Sequence, residues 1–278
     1  MNHSTNTLNT SGNITLFTQS WVPNTPPKAI VIIQHGFCEH SGRYQHVAEY
    51  FVSKGYAVYA CDLRGHGQSQ GKRIYVDLFE SHVEDFTRFV YWVQHKNPNI
   101  LTFVIAHSMG GTIATLWAIQ NPPDVAGLIL SGAAIKISAK IPKILLTFSN
   151  LISKYLPHLP TLRLNNPDAL SRDTEVTSRH TQDPYVYHGR IPARTGAELL
   201  KGAHIAHQNL ENITLPVLAL HGTQDTITDP QGSQDLQDRA QSQDKTVIFY
   251  ENLRHEILNE PERDRVLNDI ETWISQRI

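Results

Sequence analysis

Ser108 stands where a serine can act as a nucleophile. In Val104 to Thr112 (VIAHSMGGT) it separates an apolar, β-branched run from a helix that opens on small residues. A tight turn between a buried strand and a helix lifts the hydroxyl off the sheet, and it needs small neighbours two residues to either side. Here these are Ala106 and Gly110; Ala106 takes the place of the first Gly of G-x-S-x-G and adds only a methyl group. The plain alternative for Ser108 is a helix N-cap.

A serine hydroxyl needs a base, and the base needs a carboxylate to orient it. On a strand–turn–helix frame the chain order is Ser, acid, His. Asp225 follows the run Pro216 to His221 through Gly222-Thr223-Gln224, at the carboxyl end of a strand, where open α/β sheets place their sites. Asp229 competes with it, but Pro230 and a helical stretch come next, which suits a capping or turn residue. Of the 15 histidines, His255 is placed by its position just ahead of the terminal helix, in Asn252 to Glu256. His35 and His221 end strands and read as structural, and His107 should point away from the nucleophile. The developing oxyanion needs backbone donors, for which Met109 and Phe37, directly after His35-Gly36, are the candidates.

The elements that must carry these residues alternate. Strand-like runs cover 14–22, 29–34, 56–61, 101–106, 125–131, 216–221 and 246–250, with no polar side in the central ones, as in strands buried on both faces. Helical patterns occupy 44–53, 78–96 and 112–120, and the chain closes with one over 262–278. This predicts an α/β fold with a mostly parallel, doubly wound sheet. The core spans 13–135 and 191–278, and a helical cap at 136–190 is inserted after the sixth strand. In the cap, Ile141 to Leu156 carries an apolar stripe in which Leu145 and Phe148 are expected to line an acyl tunnel while other residues meet lipid aggregates. Residues 1–12 read as a flexible polar tail, with neither the basic nor the apolar region of a secretory signal.

Composition narrows the function. The chain has 278 residues, 24 Lys and Arg against 26 Asp and Glu, and a net charge of −2, so nothing holds a nucleic-acid backbone by charge. Two cysteines make no disulfide framework and no metal or CxxC site; a reducing, cytoplasmic setting suits them. No apolar run is long enough to span a bilayer.

Taken together, HGFCEHSGRY (35–44), DLRGHGQS (62–69), AHSMGG (106–111), HGTQDTITDP (221–230) and RHEILNE (254–260) resemble the monoacylglycerol lipase and lysophospholipase branch of the α/β-hydrolases over about residues 13–278. The resemblance implies the α/β-hydrolase fold, no cofactor and no metal. It also implies hydrolysis of single-chain acyl esters, first of all monoacylglycerol to fatty acid and glycerol. It gives Ser108, Asp225 and His255 the triad roles, places Phe37 and Met109 at the oxyanion hole, and sets Glu39 and Arg43 towards the alcohol side of the pocket. The alternatives are a lysophospholipase, a broad carboxylesterase, a perhydrolase, or a non-catalytic binding protein on the same fold, which would need a broken triad. Cys38 follows Phe37, so a thiol adduct there should crowd the acyl site.

Overall fold

The computed structural model describes residues 1–120, 124–137, 151–163 and 166–278. Eight strands form one sheet: β1 Asn2–Asn9, β2 Thr15–Val22, β3 Ile30–Gln34, β4 Ala57–Cys61, β5 Thr102–His107, β6 Gly127–Ser131, β7 Val217–Gly222 and β8 Lys245–Tyr250. Their order is β1-β2-β4-β3-β5-β6-β7-β8. β2 runs antiparallel to β1 and β4, and from β4 to β8 all neighbours are parallel. This is the mostly parallel, doubly wound sheet that the alternation of elements predicts, in the α/β-hydrolase form that the resemblance implies.

The central strands are apolar on both sides because both sides are covered. In β3, Ile30 and Ile32 join one apolar cluster while Val31 and Ile33 join the other, and β5 divides Val104 and Ala106 from Phe103 and Ile105 in the same way. Helices Glu80–Lys96 and Met109–Gln120 supply the first cluster through Phe86, Phe89, Val93, Ile113 and Trp117. Helices Gln45–Ser53 and Arg263–Ser275 close the second through Val47, Phe51, Ile270 and Trp273.

Two expectations change. The polar start of the chain is not a loose tail, since Asn2–Asn9 pairs with β2 in continuous register. Its side chains are almost all exposed, so it needs no apolar face; His3 stacks on Trp21 and Ser4 Oγ lies 3.0 Å from Ser20 Oγ. The helix after β5 begins at Met109 rather than Thr112, which brings its first turn directly under Ser108. Between β6 and β7 the described residues include helical turns at 151–155, Pro167–Leu170 and Thr174–Gln182, followed by helix Ala193–Gln208, which the sequence pattern did not signal.

Candidate active site

Ser108 has φ of +52°, a left-handed conformation that L-residues hold only when their surroundings force it. Its N–H donates to Ser131 O at 3.0 Å, and its carbonyl accepts from Ala134 N–H at 3.0 Å and Thr112 N–H at 3.2 Å. These bonds pin the turn from both sides. Gly110 is required beneath it, because a Cβ there would stand 2.5 Å from the carbonyl oxygens of both Gln34 and His35.

The structure brings the three residues singled out by chain order into contact. His255 Nε2 lies 2.9 Å from Ser108 Oγ, and His255 Nδ1 lies 2.7 Å from Asp225 Oδ2. Asp225 is further held by Ile227 N–H at 2.8 Å and Thr228 N–H at 3.0 Å on Oδ1, and by Thr228 Oγ1 at 2.7 Å on Oδ2. Burial alone would raise the Asp225 carboxyl. The charge on His255 and hydrogen bonds with His221 and His255 outweigh burial and hold it far below the carboxylate range. Burial disfavours a charge on His255, yet the facing Asp225 carboxylate raises the imidazole above its ordinary value. Asp229 stands apart from this group and accepts Gln231 N–H at 3.0 Å, a turn bond ahead of the next helix.

Phe37 stands in the loop after β3, and Met109 is the first residue of the helix that follows Ser108. Among the described residues neither N–H has a hydrogen-bond partner, so both are available to an incoming oxygen. The loop is fixed by Glu39, whose Oε1 accepts Gly36 N–H at 2.7 Å and Tyr44 Oη–H at 2.8 Å. Glu39 Oε2 takes Arg43 Nη1 at 2.6 Å, and Arg43 continues to both oxygens of Glu256 at 2.8 and 2.7 Å. Burial works against each of these charges. It is overcome by their mutual attraction, which lowers both carboxyls and raises the guanidinium.

A cavity of about 240 Å³ reaches Ser108 and His255, and its lining includes apolar Phe37, Leu170 and Ile227 alongside Glu39, Arg43 and Glu256. Leu145 and Phe148, expected on the acyl side, lie outside the described residues.

Sequence reasoning missed several participants. His221 Nε2 lies 3.1 Å from Asp225 Oδ2, so this strand-end histidine shares the acid with His255. His107 does not point away from the site; its ring centroid is 4.7 Å from that of His255, and burial, reinforced by the charge on His255, lowers it to about 4. Glu256 was visible only as the neighbour of His255, and no spacing rule singles it out. Cys38 lines the cavity, but burial and the nearby Glu39 push its thiol far above the ordinary range, which removes the basis for ready reaction. Among the described residues no group of three or more His, Cys, Asp or Glu side chains is arranged to hold a metal ion.

Comparison with known proteins places the chain in a family. The family model described as "Serine aminopeptidase, S33" matches residues 25–262. The monoacylglycerol lipase of Mycolicibacterium smegmatis is 36% identical over 263 residues, 95% of this chain and 94% of that protein. The monoglyceride lipase of Homo sapiens is 35% identical over 267 residues, 94% of this chain and 87% of that protein. The crystal structure of Paleococcus ferrophilus monoacylglycerol lipase superposes with a TM-score of 0.84 at 30% identity, covering 95% of this chain and 99% of the other.

Proposed function

As a member of the serine aminopeptidase family of α/β-hydrolases, this chain is a serine ester hydrolase, and we propose that it cleaves monoacylglycerols to a fatty acid and glycerol. Ser108 attacks the ester carbonyl while His255, held in its tautomer by Asp225, takes the hydroxyl proton. Phe37 and Met109 N–H groups bind the oxyanion, and each such donor is worth about 2.7–4 kcal/mol of barrier. The alcohol leaves with the proton from His255, and water then resolves the acyl-enzyme.

The observation that carries the choice of substrate is the ionic group in the cavity. Arg43 is held by Glu39 and Glu256 in the buried part of the lining, beside apolar Phe37, Leu170 and Ile227, which suits neutral hydroxyls next to an apolar chain, while Arg163 lines the cavity from an exposed position. Monoacylglycerols, diacylglycerols, lysophospholipids and short esters compared by kcat/KM test this. Monoacylglycerols should lead the series, and a lead for lysophospholipids would reverse the reading. Ser108→Ala should remove about 10⁴-fold or more of the activity without unfolding the chain.

Residues 136–190 form the cap of this reading. Leu151, Tyr155 and Leu156 are 55, 67 and 55% exposed, an apolar margin suited to lipid aggregates. No helix among the described residues is long and apolar enough to cross a membrane. Co-sedimentation with phosphatidylcholine vesicles should weaken in a Tyr155→Asp, Leu156→Asp variant that keeps its activity on short soluble esters.

A further inference from the structure

The loop that carries His255 is not held by the sheet alone. Three of its consecutive main-chain N–H groups find their acceptors outside the sheet. Arg254 N–H donates to Glu260 Oε1 at 2.7 Å, His255 N–H reaches Ala169 O at a long 3.5 Å, and Glu256 N–H donates to Leu170 O at 2.8 Å. The Arg254 guanidinium adds a bond to Ser171 O at 3.1 Å and a further one to Asp168 O. The acceptors at 168–171 all belong to the segment 166–190, in the region read as the cap.

Glu260 joins the two sides. It is 0% exposed, and its Oε2 accepts Arg172 N–H at 3.0 Å, Arg172 Nε–H at 3.2 Å and Ser171 Oγ–H at 3.4 Å. A fully buried carboxylate is tolerated only when its oxygens are satisfied, and here one oxygen faces the base loop while the other faces the cap segment. The Ser108 to His255 contact depends on the position of this loop, and a displacement of about 1 Å is enough to spoil proton transfer. We propose that Glu260 is a positioning residue: it clamps the His255 loop to residues 171–172 and thereby sets the base against Ser108. The proposal rests on the reading of His255 as the base.

The test compares wild type, Glu260→Ala and Glu260→Gln, well below their unfolding midpoints, on p-nitrophenyl butyrate and in the rate of fluorophosphonate labelling of Ser108. Glu260→Ala should lose about 30–100-fold in kcat and in labelling rate with little change in KM, as expected when reacting groups are misplaced. Glu260→Gln keeps one acceptor for Arg254 N–H and should recover part of this, ending about 3–10-fold below wild type. Both variants should move the acidic limb of the pH profile to lower pH, since His255 loosens from Asp225 while the other titratable groups around it, Glu39, Glu256, His107 and His221, stay in place. A folded Glu260→Ala protein with wild-type kcat, labelling rate and acidic limb overturns the proposal. If the Ala variant does not fold, a folded Gln variant with wild-type values does the same. Wild type that resists the fluorophosphonate would instead remove the base assignment itself.

Discussion

His221 and Asp225 are hydrogen-bond partners: His221 Nε2 lies 3.1 Å from the same Oδ2 that faces His255 Nδ1 at 2.7 Å. His221 Nδ1 is anchored on Ser233 Oγ at 2.8 Å, so the acid is clamped from the sheet side as well as by the base.

Asp225→Asn should therefore cut kcat by about 10⁴-fold, because the amide can no longer hold His255 in the tautomer that accepts the Ser108 proton. Asp229→Asn should leave kcat within about twofold, since its carboxylate serves only a turn. Steady-state kinetics of the two variants, side by side, decide between them. A larger loss for Asp229→Asn would reverse the assignment.

The pH dependence has a definite sign. Burial opposes the charge on His255, but Asp225 raises the imidazole above its ordinary 6.5, and a base works only when neutral. The acidic limb of kcat/KM should have its midpoint above 6.5, and Asp225→Asn should move it down. For stability, the raised His255 contributes fully below 6.5 and its contribution fades as pH rises through its folded value. The lowered Asp225 and Glu256 contribute above their ordinary 3.8 and 4.5, and lose that contribution as pH falls towards their folded values. Urea midpoints measured from pH 3 to 9 should drop mainly on the acid side, below about pH 4.5.

Cys38 should react with N-ethylmaleimide more slowly than a free thiol by about 100-fold at pH 7.5, because the thiolate is the reacting form and burial suppresses it. Mass spectrometry of labelled protein over time checks this. Labelling as fast as free cysteine would mean that the loop opens readily.

Gly110→Ala should destabilise by about 1–3 kcal/mol, the usual cost of overpacking, since its methyl meets two carbonyl oxygens at 2.5 Å. Activity should fall further than stability, because relief of the clash pushes the Ser108 helix away from the loop that carries Phe37. Thermal melts and kinetics on the same preparation separate the two effects.

What could be read from residue order follows from the physics of each element. Buried parallel strands advertise themselves as apolar runs with no polar side, so β3, β5 and β7 stand out, and with them the residues at their carboxyl ends: the Phe37 loop, Ser108 and Asp225. β1 did not, because an edge strand with exposed polar side chains has no apolar alternation to reveal. Helix Ala193–Gln208 hid for a related reason: Gly196, Gly202 and several alanines give close packing, as of Gly202 against Phe79, without a strong apolar stripe. The roles of His221, Glu256 and Glu260 depend on side chains meeting across the fold, which no single stretch of sequence encodes.

The bonds at 168–172 have a counterpart on the other flank of the site. Tyr187 N–H donates to Cys38 O at 2.9 Å, and His40 Nε2 lies 2.8 Å from Asp183 Oδ2, so residues 183–187 brace the Phe37 loop as 168–172 brace the His255 loop. For anyone building chimaeras, the transferable module is therefore smaller than the topological insertion. Exchange of the whole proposed cap, 136–190, would carry away both braces and leave the recipient's catalytic loops unsupported, whereas an exchange that retains 167–172 and 183–187 from the host keeps these braces with the reaction chemistry.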